Sequence, residues 1–589
     1  MNRSSLLFLS ATAFVSALGQ DHSLPHTLAP SEIPLIPAYR DSRAGLDRGI
    51  TTPPDFPVRT MAEWEEIQAL AICWAQYDGI LKQIVAAAKT ECEVIIICSD
   101  QAAVTSILMD NSFGGPLPDL DNITFIVEDF NSVWMRDYGA ECVYQNEVDS
   151  LFLLDWIYNR PRPDDDVIPD AIGTTLGIGV FNTTSAPYDL VHTGGNFMAD
   201  GFGTAFSSNL VIDENGPNGQ FNQTVKTPAE VDALMGQWMG ISNYIRMETL
   251  PYDGIHHIDM HMKLIDEETL LVGEFPQGES DGPQLETNLG IIAGNEMNVF
   301  GQPYRVVRIP MPPSTQGDWA PDASYRTYAN NVFVNRTVIV PTFRTEYDTT
   351  ALRILHESLP GYRIVPIDCD NAGANIINAS GAIHCITKGV GVADPLLIRH
   401  QRLLDTYETV NPYPVSAYMR HKSGIASASL FWTTDTTQAW NEVAMTDQGS
   451  GNWGATIPAH PAYTTIYYYV RGIANSGKTQ VRPIVAPNGW WMFHVLDINA
   501  SVTETRGPAI LDLFPNPCVS HTSLKVDHVP EFARVVLRDV TGREVKTFNN
   551  ASIPTDGRLF LDVTSLPIGT YALSVETAAG RSTQRLVKQ

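Results

Sequence analysis

Basic residues are scarce in this chain: 38 Lys and Arg stand against 66 Asp and Glu, a formal net charge of −28 over 589 residues. That deficit argues against a nucleic-acid partner, because binding phosphates needs a basic surface. An acidic surface draws cationic ligands, but net charge bears first on solubility and association. Cysteine is scarce too, with Cys73, Cys92, Cys98, Cys142, Cys369, Cys385 and Cys518 making seven in all. An odd number leaves at least one thiol unpaired within the chain, and the pairing of the other six cannot be read from spacing. No CxxC or His-rich tract suggests a zinc site. Nor does any segment reach the roughly 20 consecutive apolar residues that span a bilayer. Compositional bias is missing as well. With 44% hydrophobic and 18% charged residues the chain reads as globular, and its length asks for two to four domains.

What is present begins with a leader pattern. Arg3 precedes a short apolar stretch, and Ala17-Leu18-Gly19 offers small residues for cleavage, so residues 1–19 read as a signal peptide and the mature protein is expected outside the cytoplasm. Residues 20–50 carry Pro25, Pro30, Pro34 and Pro37 and read as a pro-segment or linker without secondary structure. From 51 to 409 the pattern is α/β. Residues 62–71 and 80–88 have helical spacing, and 94–97 is a buried strand of β-branched residues. Later, 331–340 reads strand, turn, strand; 349–358 reads helix; 363–367 reads strand. A hairpin followed by helix and strand, recurring in one region, suggests repeated α/β modules around a centre. Residues 410–498 read as an immunoglobulin-like β-sandwich, without the bridging cysteines such domains often carry. Residues 508–589 form a further β-rich domain.

Three short segments place polar residues where strands should be apolar: Trp134-Met135-Arg136-Asp137-Tyr138-Gly139, the run from His256 to Leu264, and Gly381-Ala382-Ile383-His384-Cys385-Ile386-Thr387. Read as a strand, the second puts His257, Asp259, His261 and Lys263 on one face, with Ile258, Met260, Met262 and Leu264 on the other. Four ionisable groups in a row exceed what a structural strand needs, although a solvated edge strand would show the same alternation. Cys385 alone would be an inert buried thiol. His384, its neighbour on an expected strand, faces away from it and is a poor base. Asp137 alone could close a turn.

Together these segments, with Gly194-Gly195-Asn196 and Tyr158-Asn159-Arg160-Pro161-Arg162-Pro163, resemble the bacterial Porphyromonas-type peptidylarginine deiminases of the guanidino-group-modifying superfamily. They are more distantly similar to agmatine deiminases. The motifs fall in the expected order, and the likeness extends over residues 59–402. It implies a five-module α/β propeller with Cys385 as nucleophile, His257 as general acid/base, and Asp137 and Asp259 as a guanidinium clamp. Trp134, Arg160, Arg162 and Asn330 are the expected substrate-binding residues, and the glycine pair is scaffold. Residues 508–589, through Phe514-Pro515-Asn516-Pro517 and Leu566-Pro567-Ile568-Gly569-Thr570-Tyr571, resemble a type IX secretion sorting domain, with Phe514 where tyrosine is usual. That implies export to the outer-membrane surface, attachment to a surface glycolipid, or release.

The chemistry agrees with these roles. Two carboxylates hold a planar cation through charge-assisted hydrogen bonds, a thiolate attacks the carbon held in line, and a histidine moves the protons. No cofactor or metal ion has a part in the scheme, and no calcium-loop sequence lies near the motifs. Arginine-containing peptides and proteins are the expected partners of a monomer. Peptides ending in arginine are favoured, because Arg160 and Arg162 would read the α-carboxylate unless Asp164, Asp165 and Asp166 pair with them. The rival functions are an agmatine or free-arginine deiminase, an amidinotransferase, and a non-catalytic surface adhesin on the same scaffold. A Cys/His protease fits two acidic clamps poorly.

Overall fold

The computed structural model describes residues 24–43, 48–371, 375–497, 510–526, 533–539, 542–551, 558–577 and 580–589. The expected signal peptide lies outside the described residues. The chain divides into two units, the first comprising residues up to 404 with 410–459 and 465–494, the second 405–409, 460–464 and 495–589.

Val94 to Cys98 form an unbroken apolar run, which has no polar face to turn to water and therefore suits a sheet covered on both sides. Strand Glu93–Cys98 is buried along that run. It pairs in parallel with Ile67–Cys73 and with Ile123–Val127. A parallel pair requires a crossover, and helix Asp78–Ala88 supplies one, burying Ile80, Leu81, Ile84 and Val85. Helical spacing over residues 62–71 misleads: Ile67–Cys73 is a strand. Its apolar residues are covered on both sides, so their spacing carries no strand period.

The same unit recurs five times. An antiparallel pair of strands is followed by a helix and a strand that returns parallel to the second. The pairs are Glu141–Gln145 with Leu151–Tyr158, Met198–Ala199 with Thr204–Ser208, Met262–Asp266 with Thr269–Glu274, and Val332–Val334 with Thr337–Thr342. Their returning strands are Gly179–Thr183, Asn243–Met247, Arg305–Pro310 and Arg363–Asp368. The fifth unit is split. Its opening strand, Lys388–Gly391, pairs antiparallel with Ile67–Cys73 from the other end of the region. This part of the chain is mixed α/β, in five separate sheets.

Two antiparallel sheets follow in the same unit. One runs Leu397–Arg399, Tyr413–Arg420, Asn452–Ile457, Thr446–Gly449; the other is centred on Ile425–Thr433 and Thr465–Ala474. Ion pairs tie them to the α/β part: Arg482 with Glu267 at 2.6 Å and Lys478 with Glu66 at 2.7 Å. The second unit is β-rich, with sheets ordered Ile510–Phe514, His521–Val526, Arg558–Asp562 and Glu544–Ala551, Ala533–Arg538, Gly569–Thr577, Gly580–Lys588.

Residues 24–43 depart from the structureless reading. Ile33–Leu35 is a 3-10 turn, leading into helix Ile36–Arg43. Ile36 and Tyr39 join Ile157, Val191 and Phe221 in a buried apolar cluster. All seven cysteines are free and buried. Among the described residues no helix is long and apolar enough to cross a membrane.

Candidate active site

Each module opens with a short segment just ahead of its first strand, and there the polar motifs fall. Met135–Tyr138 is a single helical turn, and Gly194–Asn196, Ile258–Met260 and His384–Ile386 are 3-10 turns. The fourth module supplies Asn330, two residues before Val332. The run 256–264 is therefore not one strand; regular pairing begins only at Met262. The one-face reading of His257, Asp259, His261 and Lys263 fails with it, since all four are buried but do not share partners. His261 has no hydrogen-bond partner on either ring nitrogen. Lys263 donates to Glu63 Oε1 at 2.8 Å.

The segments bring Cys385, His257, Asp137 and Asp259 together in a space closed to water; their exposures are 0, 0, 1 and 2%. Cys385 Sγ lies 3.8 Å from Asp259 Oδ2. His257 Nδ1 stands 3.5 Å from Asp137 Oδ1, and His257 Nε2 lies 3.4 Å from the Thr193 hydroxyl. Asn330, expected against the substrate, reaches Cys385, its Nδ2 donating to Sγ at 3.1 Å. Its Oδ1 accepts the His384 main-chain N–H at 3.0 Å. Asp137 Oδ1 and Asp259 Oδ1 are buried without hydrogen-bond partners. A buried carboxylate oxygen left unpaired is costly, so these two mark where a donor-rich cation belongs.

The electrostatics of the four groups follow from burial and from one another. Burial pushes the Cys385 thiol well above its ordinary range, and Asp259 and Asp137 push it further. Burial would raise Asp137 too, but His26, His257 and Arg160 outweigh it and hold the carboxyl below its usual value. Burial lowers His257 to about 4, leaving the imidazole neutral at neutral pH. The glycines behave as scaffold, because a Cβ on Gly195 would run into Nδ1 of His257.

Sequence reading missed three residues. His384, set aside as facing the wrong way on a strand, sits in a turn. Its Nδ1 donates to Asp259 Oδ2 at 2.7 Å and its Nε2 to Glu63 Oε2 at 2.8 Å. Glu63 is the second; burial would raise it, but His384, Lys263 and Arg136 hold it well below the usual carboxyl range. Nothing in the local sequence singles it out. His26 is the third. It lies fully buried in the site, stacked on Trp134 with ring centroids 4.1 Å apart and planes 6° from parallel. Its Nε2 donates to Asp137 Oδ2 at 2.6 Å.

Arg160 and Arg162 are buried, and their guanidinium groups turn to the N-terminal segment. Arg160 Nε and Nη2 donate to the main-chain oxygen of His26 at 3.1 and 3.0 Å. Arg162 forks onto Glu32 at 2.8 and 3.1 Å and donates to the Pro25 carbonyl at 2.7 Å. One ligand atom each from His26, Asp137 and His257 could face a single ion, since these atoms lie within 4.8 Å of one another.

Comparison with known proteins gives this constellation its context. A protein of Vibrio parahaemolyticus described as "Putative agmatine deiminase" is 22% identical over 371 residues, covering 58% of this chain and 98% of its own. A Shewanella frigidimarina protein of the same description is 24% identical over 382 residues, covering 58% and 96%. The crystallised "Putative Arginine Deiminase from Porphyromonas gingivalis" aligns at 20% identity with a TM-score of 0.48, covering 56% of this chain and 98% of that one. Residues 512–589 match the secretion system C-terminal sorting domain, which implies secretion and attachment at the cell surface. Residues 59–390, more than half of the chain and all four turns of the site, match the Porphyromonas-type peptidyl-arginine deiminases, and the chain belongs to that family.

Proposed function

We propose that this guanidino-group deiminase acts on arginine at the C-terminus of peptides and proteins, converting it to citrulline and ammonia. The observation that carries the choice of substrate is the Arg160 fork on the main-chain oxygen of His26, the residue whose side chain fills the pocket. In a peptide ending in arginine that oxygen belongs to a carboxylate, which a guanidinium reads through two parallel, charge-assisted bonds. Agmatine has no group to place there. A leader and a sorting domain also suit a surface enzyme better than an intracellular deiminase of free arginine.

In this reading the substrate guanidinium lies on Trp134 and gives its N–H groups to the unpartnered oxygens of Asp137 and Asp259. Its charge relieves the repulsion that keeps Cys385 protonated, and the thiol proton passes to neutral His257. Sγ bonds to the guanidinium carbon, and one C–N bond breaks. The leaving nitrogen departs as ammonia with the proton from His257. Water, losing a proton to His257, adds to the thiouronium carbon. The C–S bond then breaks, the departing sulfur takes the proton held by His257, and the adduct's hydroxyl proton leaves to solvent, giving the ureido group of citrulline and restoring the thiol and the neutral imidazole. Asn330 orients the sulfur. No step of this scheme calls on calcium.

The five modules are read as a propeller closed by the pairing of Lys388–Gly391 with Ile67–Cys73, with the five pre-strand segments at its centre. Sorting would leave the enzyme on the outer-membrane surface, held by glycolipid, or free outside the cell. The test compares a peptide ending in free arginine with its amidated twin. The free acid should be preferred, and Arg160→Ala should lose about 1.5–3 kcal/mol of that preference, roughly ten- to a hundredfold in kcat/KM. Equal turnover of the two peptides by the wild type would overturn the reading.

A further inference from the structure

The N-terminal segment occupies the place that the proposed chemistry reserves for substrate. His26 lies flat on Trp134 and edge-on to His257, with centroids 5.1 Å apart. Its Nε2 donates to Asp137 and its Nδ1 to the Ser380 carbonyl at 2.8 Å. Both nitrogens of the planar ring thus face oxygen acceptors, as the N–H groups of a planar guanidinium would. The carbon between them, however, belongs to an aromatic ring and has no amino group to lose. Cys385 has nothing there to convert.

The main chain around His26 is gripped by groups that otherwise serve the site. The Trp134 indole N–H donates to the Leu24 carbonyl at 3.0 Å, Arg162 to the Pro25 carbonyl and Arg160 to the His26 carbonyl. Glu32 places a nearly buried carboxylate on Arg162, supplying the anion that two arginines beside a cation-binding pocket require. Beyond it, the Tyr39 hydroxyl donates to Asp166 at 2.6 Å and Arg43 pairs with the same carboxylate. A purely structural clasp would have no reason to spend its contacts on Trp134, Asp137, Arg160 and Arg162.

We propose that residues 24–43 are a built-in, unreactive substrate mimic that holds the enzyme latent until the segment leaves the groove. The inference rests on the reading of Cys385 and Asp137 as active-site residues. It goes beyond that reading in assigning a regulatory ligand, carried by the chain itself, with His26 as the side chain that enters the pocket. A tethered ligand acts at an effective concentration of roughly millimolar for a short flexible connection, so a free peptide competes poorly with even a weak contact.

The test uses the full chain with His26→Ala and, separately, Glu32→Gln, each checked for a wild-type fold by near-UV circular dichroism. Two readouts are taken: the rate at which iodoacetamide alkylates Cys385, and the KM and kcat on a peptide ending in arginine. Removal of a competitor should speed alkylation at least tenfold and lower KM at least tenfold, with kcat little changed. Faster alkylation without turnover of any arginine peptide would uphold the occlusion and overturn the substrate reading instead. Wild-type alkylation rates and KM in both folded variants would show that the groove is not blocked, and the proposal would be wrong.

Discussion

Beside Asp137 and Asp259, a thiolate at Cys385 would be a third negative charge in a buried space, and the proton therefore stays on sulfur. The sign of the consequence is definite. A thiol whose pKa is raised carries less thiolate than free cysteine at any given pH, and its thiolate fraction keeps growing past the point where free cysteine has levelled off. Alkylation of Cys385 by iodoacetamide should rise about tenfold per pH unit from 7 to 9 without a plateau. The slope, unlike the absolute rate, does not depend on how well the reagent reaches the groove. A plateau below pH 8 would mean that the thiol is already ionised before any substrate arrives.

Glu63 acts at one remove. It touches no expected substrate atom, yet with His384 it fixes Asp259 from behind. Glu63→Gln keeps the shape and removes the charge. It should lower kcat/KM by roughly ten- to a hundredfold, about 1.4–2.7 kcal/mol. Because the arrangement holds Asp259, the affinity for a non-reactive guanidinium ligand should weaken in step if that carboxylate is part of the proposed clamp. Unchanged ligand affinity together with unchanged kcat/KM would reduce Glu63 to a structural residue. Such a role is illegible in sequence. Cys385, His257, Asp137 and Asp259 sit in recognisable motifs, whereas Glu63 and His26 meet the site only through long-range folding, from positions whose neighbours carry no pattern.

Among the elements, the informative feature is the turn ahead of each module's opening strand. A tight turn lets consecutive residues reach the same group, which a strand's alternation forbids. His384 Nδ1 and Cys385 Sγ, neighbours in the chain, thus both approach Asp259 Oδ2, at 2.7 and 3.8 Å. The alternation expected of a strand fails at this point, and with it the reading that set His384 aside. Regular elements fared better. The strand Glu93–Cys98, the helix Thr345–Ser358 and the hairpin around Asn335 follow from β-branched runs, apolar spacing and a turn residue with φ of 52°. Those signals are local. The turn Gly194–Asn196 shows what a site-bearing turn demands: Gly195→Ala would drive a methyl group into His257. That variant should fold, with its melting temperature within a few degrees of wild type, and lose at least tenfold in kcat/KM. Full activity in Gly195→Ala would show that His257 is free to move aside and is not held by this turn.

At the scale of the whole molecule, the chemistry and the address are in separate parts of the chain. The family match to the deiminases ends at residue 390 and the sorting match begins at 512. Deleting residues 508–589 should leave kcat/KM on arginine peptides unchanged and abolish surface display, with the protein accumulating in the periplasm. Cell fractionation and assay of the fractions check both halves. Display of the truncated chain at wild-type levels would remove the sorting role from these residues.

Closure of the split module has a consequence in time. The strand Ile67–Cys73 can take Glu93–Cys98 as a neighbour early in synthesis, but its other edge waits for Lys388–Gly391, some three hundred residues later. Contacts that distant form late and slowly, because a long loop must close before they give anything back. Cys385 lies three residues ahead of that last strand, in a turn held by Asn330 and facing Asp259. Cys385 is therefore set in place by the pairing that joins Lys388–Gly391 to Ile67–Cys73, and not before. A nascent or half-threaded chain carries the Cys385 thiol without Asp259 and Asn330 against it, and the turns come together in the same event that completes this part of the fold.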